Sequence, residues 1–387
     1  MNKIEAKINE IYDSLILDNN ESLSILIGSC GVSMFKFHYF KFFNSSLSID
    51  EYANSLQEIA ELAIQSPYPS FCTGKAGINW FFSYLHKNDY LEDEDLEAIC
   101  DDNDRLAELC LEYLKKNNYD FLHGSTGIAY YLLYTDYERN LNLFYTFFEE
   151  LNRIMKEGSS MIPHYNPITN KLESEKINPS LSHGLASILK VSVQCFKQNI
   201  CKKEAGKMAY LIIDYLLSNS NFDKSICYYA SIIDEKNDKF SRLSWCYGDL
   251  GIGYILFQSS LVFNDDKLRK FSLEILTNST KRRSKESTGV IDAGICHGTA
   301  GIAYIYNKMW ASTKDLIFKD ACDYWISKTI EFSTYTDGVA GYKKYNSISK
   351  NYENSFGILE GAAGIGLVLM SYLSGDFSWD YCLLLND

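Results

Sequence analysis

The chain has 387 residues, 46% of them hydrophobic and 22% charged, a globular composition with ample material for a buried core. Its 37 basic and 50 acidic residues give a net charge of −13, and no strongly basic tract is present, which argues against nucleic acid as a partner. The opening residues, Met1 to Glu10, lack an apolar h-region, and the longest apolar stretch, Gly361 to Leu373, has 13 residues, so neither a secretory signal nor an integral membrane segment is expected. With no export signal, the eleven cysteines point to a reducing, cytoplasmic setting in which most, such as Cys110 and Cys195, act as small buried hydrophobes.

A pair of glycines three residues apart recurs along the chain. The copies are Gly28/Gly31, Gly74/Gly77, Gly124/Gly127, Gly184 with Ser187 in the second place, Gly248/Gly251, Gly298/Gly301 and Gly361/Gly364. Successive first glycines stand 46 to 64 residues apart, the mark of a repeat architecture. Each pair opens an apolar helical run, such as Gly127 to Leu133. Between the pairs lie amphipathic helices: Leu106, Leu109, Cys110, Tyr113 and Leu114 share one face, as do Met208, Leu211, Ile212, Tyr215 and Leu216. No alternating strand pattern of useful length competes with them. A helix that is apolar nearly all round must be buried, so the pattern predicts an all-α protein with an inner ring of apolar helices inside an outer ring of amphipathic ones. An open solenoid is the rival, but it needs polar capping repeats. Here the first copy begins by residue 28 and the chain ends on the apolar Tyr381 to Leu385. The expectation is one domain, 1–387, closed into an α/α toroid of seven helix-hairpin repeats.

The residue before each first glycine is, in order, Ile27, Thr73, His123, His183, Tyr247, His297 and Glu360. In a toroid this slot lies at the N-termini of the inner helices, all at one end, where helix dipoles favour anions and thiolates. Three histidines occupy it, and Cys72, Ser182, Cys246 and Cys296 stand one position earlier. Cys246, Cys296 and His297 come from adjacent repeats and make a Cys2His set with an open fourth position, the donor set of a catalytic zinc site. Coordination deprotonates a bound thiol, whose unperturbed pKa is about 8.5. The competing explanation is that these are small or capping residues beside glycines, which is the role expected of Cys72.

The segments Ser241 to Gly248 (Ser-Arg-Leu-Ser-Trp-Cys-Tyr-Gly) and Cys296 to Gly301 (Cys-His-Gly-Thr-Ala-Gly) resemble the two signature motifs of the lanthionine synthetase C-like cyclases. Ser182-His183-Gly184, Tyr119-Asp120 and the Glu360 to Gly364 ending are also similar to that family, and the resemblance runs from about residue 20 to the C-terminus. It implies a seven-repeat toroid with one Zn2+ held by Cys246, Cys296 and His297. The implied reaction is an intramolecular Michael addition, in which a cysteine thiolate of a dehydrated precursor peptide attacks dehydroalanine or dehydrobutyrine and leaves a (methyl)lanthionine thioether ring. By motif match His183 is the acid/base histidine and Asp120 the active-site aspartate, although a capping role suits either. Arg242 is a candidate to stabilise the enolate or to hold peptide carbonyls, with a surface ion pair as its alternative. Tyr247 adjoins the metal and either contacts substrate or packs, and His123 shares the slot without an assigned role. Two departures stand out. Asp249-Leu250 replace the family's proline before Gly251, and Ser187 weakens the fourth pair. The expected partners are the precursor peptide, a separate dehydratase and an exporter. Two other functions stay open: zinc-dependent alkylation of another thiol (glutathione addition to dehydroamino acids, or prenyl transfer) and a non-catalytic peptide-binding scaffold.

Overall fold

The computed structural model describes residues 3–15, 22–44, 49–64, 66, 68–135, 138–157, 161–166, 169, 171–220, 226–234 and 240–387. In chain order its helices begin with α1 (Lys3–Ser14), α2 (Ser29–Phe43), α3 (Ile49–Ala63), α4 (Lys75–His86), α5 (Asp93–Ile99), α6 (Asn103–Lys115), α7 (Ser125–Thr135) and α8 (Leu141–Glu157). They continue with α9 (Leu185–Lys197), α10 (Lys202–Ser218), α11 (Asp249–Phe263), α12 (Asp266–Ser279), α13 (Lys285–Thr288), α14 (Thr299–Thr313), α15 (Leu316–Glu331) and α16 (Ala362–Ser374).

Seven of these, α2, α4, α7, α9, α11, α14 and α16, start at the recurring glycines, and their burial matches their sequence. Every residue of α16 from Ala362 to Ser371 is buried. The amphipathic α15 buries only Phe318, Ala321, Cys322, Trp325, Ile326 and Thr329, one stripe at helical spacing.

The turn geometry explains the glycines. The first helical N–H groups are met by main-chain carbonyls from upstream in the same turn: Leu185 donates to Asn178 at 2.8 Å and Thr299 to Asp292 at 3.2 Å. The turn therefore folds back tightly under the helix start. A Cβ on Gly184 would lie 2.0 Å from the Asn178 carbonyl oxygen, and one on Gly301 would lie 1.9 Å from that of Ile295. Each glycine thus leaves room for a carbonyl six residues earlier. At Ser187 the hydroxyl donates to the Gly184 carbonyl at 2.7 Å, and α9 starts at the expected place.

The chain divides into two compact units, one spanning Met1–Pro67, Leu243–Trp245 and Arg283–Asn386, the other Tyr68–Arg242, Cys246–Arg282 and Asp387. In the first unit α14, α16 and α2 pack in that order, with α15 against α14, α3 against α2 and α1 against α16. The last glycine-led helix therefore rests on the first and is covered by the N-terminal helix, so the two ends of the chain interlock. Trp379, Cys382, Leu383, Leu384 and Leu385 are buried in this unit, and Lys308 pairs with Asp380 at 2.6 Å. In the second unit α4, α7, α9 and α11 pack in order, covered by α5, α6, α10 and α12, while α8 packs against α6 and α10.

Among the described residues two antiparallel hairpins interrupt the helices, β1–β2 (His164–Asn166 with Lys171–Glu173) and β3–β4 (Lys344–Asn346 with Asn351–Glu353). They are twins: in each, the Asn that ends the first strand donates from Nδ2 to the Glu that ends the second, at 2.8 Å. Their three-residue strands are too short to display a two-residue alternation, and the sequence shows no strand there. Among the described residues no helix is long and apolar enough to cross a membrane.

Candidate metal centre and acid–base pair

The turns before neighbouring helices are stitched together at one position, two residues before the first glycine. In the first unit the Cys296 N–H donates to the Leu359 carbonyl at 2.8 Å, and the Leu359 N–H to that of Leu26 at 2.7 Å. In the second unit Cys72 donates to Leu122 at 2.9 Å and Ser182 to Cys246 at 3.3 Å. This ladder brings residues far apart in sequence side by side. Cys72, buried, fits the structural role expected of it.

Cys296 and His297 precede α14 in the first unit. The segment Leu243–Trp245 belongs to the same unit: the Leu243 N–H donates to the Thr288 carbonyl at 2.9 Å, and the buried Trp245 indole N–H to that of Leu383 at 2.8 Å. Cys246 follows Trp245 directly. The two Sγ atoms and a ring nitrogen of His297 all lie within 4.8 Å of one another. Zinc bonds of about 2.0–2.3 Å in a tetrahedron separate their ligands by roughly 3.3–3.8 Å, so these three donors fit round a single ion. Cys246 is buried, and Cys296 and His297 are partly exposed, which suits a centre open on one side.

His297 has a neighbour that the sequence reading passed over. Asp292 Oδ2 lies 3.4 Å from His297 Nε2. Burial works against the charge of Asp292, but contact with His297 and the N–H groups of Tyr345 and Gly294 outweigh it, and the carboxyl is held below its ordinary range.

In the second unit His183 Nδ1 lies 2.6 Å from Asp120 Oδ2, and the other carboxylate oxygen accepts the His123 N–H at 2.7 Å. Asp120 is buried. Burial alone raises a carboxyl's pKa, yet the charge and hydrogen bond of His183 overcome it and the pKa is lowered. Burial depresses the His183 imidazole, and the Asp120 carboxylate more than reverses this, so its pKa is raised. Tyr247 lies obliquely to His183 with ring centroids 6.0 Å apart, and the His123 ring centroid lies 6.4 Å from that of His183. The β1–β2 hairpin is fastened to this pair: the Tyr119 hydroxyl donates to the Pro163 carbonyl and accepts the Tyr165 N–H. Arg242 is exposed, and no hydrogen bond or ion pair of its side chain with a described residue is present.

Asp249, the neighbour of Leu250, which stands where the family pattern has proline before Gly251, is fully buried. Its carboxylate accepts the N–H groups of Tyr228 and Tyr229 at 3.0 Å each, with Arg282 Nη1 at 3.7 Å. Burial pushes its pKa up to about 6 against the pull of Arg282 and those N–H groups. Gly248, at φ +78°, takes the left-handed backbone that lets the chain turn from Tyr247 into α11. Asp249 thus fastens Tyr228 and Tyr229 to the turn beside Cys246.

Glycine-led helices whose turns gather two thiols, an imidazole and a His–Asp pair define the class: the model of the lanthionine synthetase C-like proteins matches residues 20–384, and the chain belongs to that family. Among individual relatives, the nisin biosynthesis protein NisC of Lactococcus lactis subsp. lactis is 26% identical over 347 residues, which cover 82% of this chain and 78% of NisC. The solved structure of a nisin cyclase covers 99% of this chain and 96% of its own at a TM-score of 0.77 and 20% identity. The fold is accordingly the all-α, α/α toroid anticipated from the glycine repeat.

Proposed function

We propose that the chain is a zinc-dependent cyclase of ribosomally made peptides that forms (methyl)lanthionine rings by adding cysteine thiols to dehydroalanine or dehydrobutyrine. The observation that carries this reading is the Cys246, Cys296 and His297 donor cluster in a chain of the lanthionine synthetase C-like family. Zinc, when bound, would lower the proton affinity of a substrate thiol while the two protein thiolates keep the centre neutral. The chain's own residues supply the proton traffic. Asp120 accepts the Nδ1 proton of His183, which fixes the tautomer and leaves Nε2 as the exchanging atom. Nε2 takes the thiol proton and returns a proton to the α-carbon after sulfur has bonded to the β-carbon. S–H is thereby added across C=C with no change in mass. Tyr247 flanks the imidazole and limits how substrate approaches it, and exposed Arg242 meets the peptide's carbonyls or the developing enolate. On this reading the substrate arrives already dehydrated by a separate dehydratase, the product leaves through an exporter, and the work is cytoplasmic.

Incubating the full chain with zinc and a dehydrated precursor peptide is expected to consume free thiols at constant peptide mass. His183→Ala should slow this by about 10²–10⁴-fold and leave zinc stoichiometry intact. Thiols that all stay alkylatable overturn the reading, and a mass gain assigns addition of an external thiol instead.

A further inference from the structure

Five residues before the slot, the turns ahead of α7, α9 and α14 carry Asn118, Asn178 and Asp292. The three do one structural job. Each side-chain oxygen accepts the N–H two residues on: Asp120 for Asn118 at 3.3 Å, Ser180 for Asn178 at 3.0 Å, Gly294 for Asp292 at 3.2 Å. Each main-chain carbonyl accepts the N–H of the first residue after the glycine, at 3.1, 2.8 and 3.2 Å respectively. A neutral amide performs this job in two of the three turns. The turn with Cys296 and His297 has a carboxylate instead, only 2% exposed, and a buried charge is costly unless something uses it.

The second oxygen of Asp292 shows the use. It lies 3.4 Å from His297 Nε2 and accepts the Tyr345 N–H of β3 at 3.1 Å. The same hairpin is fastened beside α16 by Lys344, whose Nζ donates to Glu360 Oε2 at 3.0 Å.

We infer that Asp292 is the positioning residue of the metal centre: it holds the His297 ring with Nε2 protonated and Nδ1 presented as the ligand, and it ties that ring to the β3–β4 hairpin. The inference rests on the reading that Cys246, Cys296 and His297 hold zinc. A carboxylate behind a ligating imidazole orients the ring and raises its basicity, whereas an amide in its place keeps the turn and loses both effects.

Asp292→Asn separates the two roles, because Asn118 and Asn178 already build the same turn. On the full chain, zinc affinity measured by competition with a chromophoric chelator should fall about 10–100-fold. Metal-free thermal unfolding should fall only slightly, by the one Tyr345 N–H bond that the amide NH2 cannot accept, and the visible spectrum of the Co2+-loaded variant should shift with the altered imidazole. Unaltered zinc affinity in Asp292→Asn, with the parent binding one ion per chain, overturns the inference and leaves the metal reading standing. Failure of the metal-free variant to fold cooperatively also overturns it, by making the carboxylate structural. A parent chain that binds no zinc ends the metal reading and takes this inference with it.

Discussion

Replacing Gly301 with alanine tests the account of the recurring glycines most directly. An added Cβ would lie 1.9 Å from the Ile295 carbonyl oxygen, 2.8 Å from its carbon and 3.1 Å from its Cα. Ordinary contact needs about 3.4 Å or more, so backbone has to move by about 1.5 Å, with no flexible side chain to absorb it. The displaced carbonyl immediately precedes Cys296, whose N–H is committed to Leu359 at 2.8 Å. Alanine is about 1 kcal/mol better than glycine inside a helix. That gain is smaller than the cost of forcing packed backbone apart, which exceeds about 3 kcal/mol. The expected result is a net loss of at least about 2 kcal/mol in urea unfolding of the metal-free chain, with weakened zinc binding. Gly253→Ala is the control: there a Cβ meets only Leu276 and Ile275 side chains, at 3.1–3.2 Å, and stability should change by less than about 1 kcal/mol. Should Gly301→Ala match the parent within about 1 kcal/mol and keep its zinc, the carbonyl-clearance argument is refuted.

Two further outcomes follow from buried charge. Lys308→Met removes the ammonium from beside Asp380, a carboxylate 2% exposed whose partners include the Tyr304 hydroxyl at 3.1 Å, and should cost about 3–5 kcal/mol in urea unfolding; replacing both partners by apolar residues should recover much of this. His38 faces Asp376 at 3.8 Å, with Lys41 beyond it, and burial, opposed by Asp376 and aided by Lys41, pushes its pKa down from 6.5 to about 4. The unfolded chain therefore takes up this proton first, and stability is lost as pH falls from 6.5 towards 4; His38→Phe should spare roughly 2–3 kcal/mol of that loss when unfolding is compared at pH 7 and pH 4.5.

Much of the architecture was legible because it rests on local rules. Glycines at fixed separation, apolar runs behind them and one-sided helices between them dictate buried and covering helices. The interlocking of α16 with α2 agrees with the closure argued from the apolar C-terminus. The gathering of Cys246, Cys296 and His297 was legible too, since a shared slot in a repeat becomes a shared location in space. The hairpins were hidden because a three-residue strand has no period to detect. Asp292 was hidden for another reason. The slot and the residue before it carry the histidines and cysteines that draw attention to the turn, and Asp292 stands outside both. Four positions before Cys296 and its counterparts, the repeats set Asn118 and Asn178 against Asp292, a change from amide to acid in the turn that holds Cys296 and His297. Asp249 gave no such signal: its N–H partners, Tyr228 and Tyr229, lie 21 and 20 residues upstream in a stretch without periodicity.

The repeat also explains why so much chemical variety sits in one slot. Capping a helix usually commits a side chain, with Ser, Thr, Asp or Asn at the N-cap accepting the first free N–H groups. Here the N-caps of α2, α4, α9, α11, α14 and α16 are glycines with no side-chain cap. At five of them, all but α11, an upstream main-chain carbonyl takes the first helical N–H instead. The stitches between neighbouring turns are main chain to main chain as well. Side chains at the slot and just before it are thereby released from building the turn. They can be isoleucine at 27, threonine at 73, histidine at 183 and 297 or glutamate at 360 with the same backbone beneath. A scaffold whose polar groups are satisfied by its own carbonyls can change its chemistry one side chain at a time. Apart from the fourth pair, where Ser187 fills the second place, the strict demand falls on the glycines, and that is the demand Gly301→Ala probes.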